Sequence, residues 1–188
     1  MKDHGADKSV LEVRSFQQLD DGSYYFGQWT KDTSKREGRG FAIYPDGSFY
    51  EGLWTNDKPN CIGRLTYGNG NVYQGEWRSG TTDDCYGYFL NSRGVLAKGT
   101  WVESKLDGKG YEAIGKDFSY QGDFSHGVKE GHGVAKWADG SKYEGELKNN
   151  KFHGEGKYFY KDGRNYSGQF RENKMHGKGT FIWANNQK

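Results

Sequence analysis

The stretch YQGDFSHGVKEGHGVAKWADGSKYEGEL, residues 120–147, decides the fold. It opens on an aromatic-x-Gly-x-aromatic pentad, Tyr120 to Phe124, and passes through Gly131-His132-Gly133. It then reaches a polar Asp139-Gly140 turn and starts again with Tyr143 to Leu147. Side chains at i, i+2 and i+4 of a strand share a face. Tyr143, Gly145 and Leu147 therefore point one way, and Glu144 and Glu146 the other. The same alternation puts Gly131, Gly133, Ala135 and Trp137 together in the second strand. Asp-Gly is among the strongest short hairpin signals because both residues tolerate positive φ. The stretch predicts two short strands per repeat, with the Asp-Gly turn handing the chain to the next pair.

Read outward, the pentad fills the chain. Its first positions fall at residues 25, 50, 73, 97, 120, 143 and 166, and the copy at Ala97–Trp101 is degenerate. Each is followed by Gly-x-Gly, as at Gly38/Gly40 and Gly154/Gly156, or by Cys-x-Gly at Cys61/Gly63 and Cys85/Gly87. Further turns stand at Asp46-Gly47, Asn69-Gly70 and Asp162-Gly163. A fixed period of this kind is the signature of a stacked repeat. The predicted fold is all-β: a single elongated, twisted antiparallel meander of stacked β-hairpins, with about 14–15 strands and about 65 Å long at the usual strand spacing. Phe16 to Gly22 aligns with Phe41 to Gly47 and reads as a half-repeat cap. Residues 1–15 are expected to be a flexible tail and 16–188 the solenoid, with any helix confined to Met1–Leu19. Asn185-Asn186 stands where Asp162-Gly163 stood one repeat earlier.

Composition agrees. Hydrophobic residues make up 32% and mean hydropathy is −1.07, too polar for a thick core, yet there are 14 Tyr, 11 Phe and 6 Trp. Disordered chains are poor in aromatics. With 30 glycines and 2 prolines, the expectation is a thin sheet with a one-sided aromatic core, its rings lying over strand glycines where no Cβ intrudes. A net charge of +2 lacks the basic footprint of a nucleic-acid binder. No apolar run approaches the roughly 20 residues of a membrane span, and Met1–Asp7 has no apolar leader core. Two cysteines do not make a disulfide framework, so a cytoplasmic location is expected. Cys61 and Cys85 occupy one slot in neighbouring repeats, about 9–10 Å apart, beyond disulfide reach; free thiols are expected.

Catalytic readings fare poorly. The Gly-x-Gly pairs lack the longer pattern and the strand-to-helix context of a phosphate-binding loop. His126, His132, His153 and His176 have no partner at zinc-ligand spacing. Glu51, Glu76, Asp123, Glu144 and Glu146 recur on the polar face, but acid–base work needs carboxylates in a pocket with separated pKa values. No catalytic residue, metal or cofactor is expected.

Together the Tyr-x-Gly-x-Trp pentad, the polar turn and the Gly-x-Gly resemble the MORN (membrane occupation and recognition nexus) repeat over about residues 20–188. The departures are Ala97, Cys61, Cys85 and Leu147. The resemblance implies a scaffold or attachment module without enzymatic activity. Such modules belong to ciliary structures such as radial spokes, to cytoskeletal collars and to membrane contact sites. A structural subunit of a ciliary, axonemal or cytoskeletal assembly, partnered by other proteins, is therefore expected. The alternative is a peripheral module binding anionic phospholipid.

Alternation then locates a candidate surface. On the face opposite the motif tyrosines, the last three repeats carry mostly polar side chains, interrupted by Val134, Phe159 and Ile182. The first four carry Phe26, Phe41, Ile43, Leu53, Tyr86, Tyr88, Leu90 and Tyr111. Three readings stand: the N-terminal Val10, Leu11, Val13 and Phe16 fold back as a cover, strand twist scatters the residues, or a partner covers them. For the lipid alternative, Lys148, Lys151, Lys174 and Lys178 are the candidate contacts. They are interspersed with Glu146, Glu155 and Glu172, unlike the clustered basic residues of polybasic lipid binders.

Overall fold

A computed structural model describes residues 10–184. The chain divides into two compact units between Ser92 and Arg93. The first contains β1 (Leu11–Gln18), β2 (Tyr24–Thr30), β3 (Arg36–Ile43), β4 (Phe49–Thr55), β5 (Lys58–Thr66), β6 (Val72–Trp77) and β7 (Cys85–Leu90). The second contains β8 (Val95–Val102), β9 (Lys105–Ile114), β10 (Phe118–Ser125), β11 (Val128–Trp137), β12 (Lys142–Lys148), β13 (Lys151–Phe159), β14 (Asn165–Arg171) and β15 (Lys174–Ile182). In each unit strand order is sequence order and every pairing is antiparallel. The fold is all-β, as the repeat predicted. Each of the seven pentads opens a hairpin, including the degenerate one at Ala97.

One boundary differs. Leu11–Ser15, assigned by the sequence to a flexible tail, belong to β1, which pairs with β2 from Leu11 opposite Thr30 to Gln18 opposite Tyr24. This strand carries no pentad, so the repeat could not reveal it. What recruits it is the open edge of β2, whose N–H and C=O groups need partners. Residues 1–9 and Asn185-Asn186 lie outside the described residues.

The core follows from one arrangement repeated. Tyr25, Tyr50, Tyr120 and Tyr143 are fully buried. Each hydroxyl crosses the glycine of its own pentad and donates to a carbonyl three residues on. Tyr25 reaches Gln28 O at 3.1 Å, Tyr50 reaches Leu53 O at 3.0 Å and Tyr143 reaches Glu146 O at 2.7 Å. Edge-on aromatic packing links successive repeats. Tyr50 meets Trp54 at 5.2 Å and Trp77 at 5.1 Å, and Tyr143 meets Phe170 at 5.2 Å. These are favourable quadrupolar geometries. Within each unit, the strands from β2 onward place their glycines in a cross-strand row. In the first unit it runs Gly27, Gly40, Gly52, Gly63, Gly75, Gly87. A Cβ on Gly133 would lie 2.3 Å from the Tyr120 hydroxyl.

The two glycines of Gly-x-Gly do different work, which corrects the alternation reading of Gly131. Hairpin register shifts between Gly122 and Phe124, and likewise in β12–β13 and β14–β15. These are β-bulges, and the first glycine supplies the positive φ: +81° at Gly131, +60° at Gly154, +60° at Gly177. A Cβ on Gly131 would meet Asp123, whereas one on Gly133 would meet Tyr120. The bulge thus turns the two glycines to opposite faces. Cys61 takes the same slot with φ +62°, a conformation that costs a residue with a Cβ.

Two residues before that slot, a side chain caps the tyrosine ring. Phe152 stacks on Tyr143 at 3.8 Å, filling the room Leu147 leaves by not being aromatic. Lys129 covers Tyr120 and Phe124 at 5.4 and 5.7 Å and pairs with Glu112. Arg36 covers Trp54 at 4.5 Å and is held by Asp57.

The Asp-Gly-Ser turns add a pH dependence. Asp46 Oδ1 accepts from the Ser48 N–H at 2.9 Å and the Ser48 hydroxyl at 2.5 Å, and Asp21 with Ser23 and Asp139 with Ser141 repeat this. These bonds, the hydroxyl's above all, hold the three carboxyls below the usual aspartate range. A depressed folded-state pKa gives stability that is complete above the unfolded value and lost as pH falls through the folded one. The window therefore lies below about pH 4. Replacing Ser23, Ser48 and Ser141 with alanine should lower the thermal midpoint near neutral pH and shrink the further drop measured between about pH 5 and about pH 2. Parallel curves for variant and parent would remove these turns from the acid response.

Candidate interaction surface

On the first unit, the face opposite the tyrosines is organised in cross-strand rows. Tyr24, Ile43, Phe49, Thr66, Val72 and Leu90 stand opposite one another strand by strand from β2 to β7. The neighbouring row runs Phe26, Phe41, Glu51, Arg64, Gln74 and Tyr88 through the same pairings, with the Tyr88 hydroxyl donating to Gln74 Oε1 at 2.6 Å. A third set includes Arg39 opposite Leu53, and Ile62 opposite Glu76. Tyr24, Phe26, Ile43, Phe49, Ile62, Tyr86 and Leu90 each keep 37–49% of their surface exposed. Phe26, Phe41, Leu53 and Ile62 line an open groove of about 700 Å³, together with Arg39, Arg64, Glu51 and Gln74.

The structure therefore gathers most of the residues selected by alternation. Phe26, Phe41 and Leu53 share the groove, Ile43 and Leu90 share a row, and Tyr88 ends the next. Strand twist does not scatter them. Tyr111 belongs to the second unit, opposite Lys98 and Gln121, in a row that continues through Val134, Glu144, Lys157 and Ser167. That row is polar. Alternation also missed Tyr24, Phe49, Ile62 and Val72. Tyr24 and Phe49 each precede a motif tyrosine, so the same rule assigns them to this face.

The N-terminal segment extends this surface instead of folding over it. Val13 stands opposite Gln28 and is 66% exposed. Phe16 stacks on Phe26 at 5.8 Å and meets Phe41 edge-on at 6.3 Å, yet stays half-exposed. Strand β1 adds a strand's width of apolar surface.

The recurring carboxylates have structural work. Bulge geometry leaves the N–H after each slot without a ladder partner, and the side chain three residues after the motif tyrosine accepts from it. Gln28 serves Arg39 at 2.7 Å, Glu76 serves Tyr86 at 3.2 Å, Asp123 serves His132 at 3.0 Å, Glu146 serves Glu155 at 3.4 Å and Gln169 serves Lys178 at 3.2 Å. The Asp123 carboxyl is held below its ordinary range, chiefly by the Lys109 ammonium 2.6 Å away. In the second repeat Leu53 replaces this clamp, which leaves Leu53 and Ile62 as apolar neighbours in the groove. Glu144 pairs with Lys142 at 2.9 Å. Among the described residues no three His, Cys, Asp or Glu side chains are grouped as a metal site. Cys61 is exposed and Cys85 buried, both as free thiols.

Of the candidate lipid contacts, Lys148 and Lys151 flank one tight turn and Lys174 closes the next opposite Arg171. Lys151 forms an ion pair with Glu172, and Lys178 lies along β15. Among the described residues no helix is long and apolar enough to cross a membrane.

A search of curated proteins gave no match. The sequence profile of the MORN repeat matches residues 25–49, 50–72, 73–81, 120–142, 143–163 and 166–188. The degenerate hairpin β8–β9 falls outside these matches, yet it keeps the glycine pair Gly99–Gly110 and a buried Trp101. By that profile, by the hairpin geometry and by the glycine row, the chain belongs to the MORN-repeat family.

Proposed function

We propose that this chain is a non-enzymatic scaffold subunit that docks other proteins through the apolar face of its first unit, within a ciliary or cytoskeletal assembly. MORN repeats are non-catalytic modules that mediate protein or membrane interactions. The observation that carries the protein reading is the row Tyr24, Ile43, Phe49, Val72 and Leu90 beside the Phe26–Phe41 groove. Contiguous apolar surface of this kind marks interaction sites, and aromatic side chains dominate binding energy at such sites.

The test compares the parent with Ile43→Ser/Leu90→Ser. Both positions are more than a third exposed, so stability should stay within about 1 kcal/mol. Capture of the native partner should fall about tenfold or more, the loss expected for a hot spot. The captured chain should fractionate with detergent-insoluble cytoskeleton. If capture survives while Lys148→Glu/Lys151→Glu abolishes both capture and sedimentation with anionic vesicles, the docking surface is the basic turns and the lipid alternative takes over.

A further inference from the structure

On the tyrosine face of the second unit, part of the aromatic layer lies open. Six rings form an unbroken contact line across β10 to β15. Phe118 meets Trp137 at 5.7 Å, Trp137 meets Tyr158 at 5.8 Å and Tyr158 meets Tyr160 at 4.7 Å. The line continues from Tyr160 to Phe181 at 5.9 Å and from Phe181 to Trp183 at 4.8 Å. None is fully buried, and Trp183 is 49% exposed. Trp137 and Tyr158 also pack on Phe152, at 6.0 and 6.2 Å, and so join the core, whereas Tyr160, Phe181 and Trp183 continue the line away from it. The corresponding positions outside the last three repeats are less aromatic: Trp137, Tyr160 and Trp183 correspond to Tyr44, Tyr67, Asn91 and Ile114.

The line has a period. Trp137, Tyr160 and Trp183 occupy one position in successive hairpins, so they recur every two strands, or about 9.6 Å. A polyproline II helix advances about 3.1 Å per residue with three residues per turn, or about 9.3 Å. A proline-rich segment crossing the strands therefore sets one residue in every three against a ring, hairpin after hairpin. Its chemistry also fits. Proline has no N–H to leave unpaired over an aromatic surface, and the extended helix makes no internal hydrogen bonds, so it loses little freedom on docking.

Charge selects the sequence between the prolines. Residues 93–188 hold seventeen Lys and Arg against twelve Asp and Glu, a net of +5, although the whole chain is only +2. Arg164 lies between two rungs, 5.0 Å from the Tyr160 ring and 5.9 Å from that of Trp183, tied to Asp162 at 2.8 Å. Lys161 is exposed in the turn beside it. We propose that the second unit binds an acidic proline-rich peptide segment in the polyproline II conformation along Trp137, Tyr160 and Trp183. This site is separate from the apolar face of the first unit.

The probe is a fluorescent (Glu-Pro-Pro) repeat peptide long enough to cross three hairpins, titrated into the full chain and read by anisotropy. Controls are the (Lys-Pro-Pro) counterpart and a peptide of similar composition with its prolines spaced every fourth residue. Saturable binding of the acidic peptide is expected. It should be about tenfold weaker for each control and for Tyr160→Ser/Trp183→Ser, a factor worth about 1.4 kcal/mol. The thermal midpoint of that variant is measured alongside, and Trp183→Ser alone, close to half exposed, serves if the double variant is destabilised. The Ile43→Ser/Leu90→Ser chain should bind the peptide as the parent does, which separates this site from the proposed docking face. No saturable binding, equal binding of either control, or binding that survives loss of the Trp183 ring overturns the proposal.

Discussion

Truncating Trp54 to alanine should cost about 4 kcal/mol of folding free energy, the range for deleting a large buried aromatic. That lowers the midpoint by roughly 8–16 °C for a chain of this length. Trp54 is 1% exposed. It packs edge-on against Tyr25 and Tyr50, each at 5.2 Å, and lies under the Arg36 guanidinium at 4.5 Å. Its removal uncouples two repeats and strips the aromatic partner from a largely buried cation. Trp54→Phe, which installs the residue found at the matching positions Phe124 and Phe170, should cost a small fraction of that. Calorimetry on both variants is the check. Equal losses would mean that the indole itself, not the ring layer, is what the repeat needs.

Gly145→Val should cost about 3 kcal/mol, or roughly 6–12 °C, through overpacking. Its first carbon would lie 2.5 Å from the Gly156 Cα, 2.6 Å from the Glu155 carbonyl oxygen and 2.8 Å from the Tyr143 hydroxyl. Two of these obstacles are backbone and cannot swing aside. The sequence named the tyrosine as the obstacle; the structure adds the facing strand. A surface control such as Gly140→Ala sits in open space, although its φ of +88° carries its own strain. An unchanged melting curve for Gly145→Val would dismantle this account of the motif.

The hairpins, their number and which face each pentad buries were legible in the sequence, because strand alternation and the repeat period fix them independently. The bulge was not. Gly131 and Gly133 look equivalent under strict alternation, and only the positive φ at Gly131 breaks the period. The clue was Glu76, Asp123 and Glu146, which recur where a clamp for the displaced N–H is needed, but were read only as carboxylates of the polar face. Strand β1 was hidden because it borrows pairing from β2 and carries no pentad. The candidate surface was readable in part. Ile43 and Leu90 fell out of alternation, whereas Ile62 required the bulge to be placed first. Tyr111 was grouped with them on parity alone, and parity says nothing about its polar cross-strand neighbours Lys98 and Gln121.

The glycine row has a further consequence, for error correction during folding. A slip of one or two residues between adjacent strands sets a side chain against the tyrosine hydroxyl that the glycines admit, so small misalignments are rejected at once. A slide by a whole hairpin restores every glycine pair and goes unnoticed. The row therefore proofreads position within a repeat and is blind to which repeat is which. Addressing falls to the residues that vary over the ring: the Arg36–Asp57 pair, the Lys129–Glu112 pair and the stacked Phe152. A chain in which all these caps were made alike would keep its hairpins and the order its short turns impose, but would lose the side-chain contacts that tell one repeat from another.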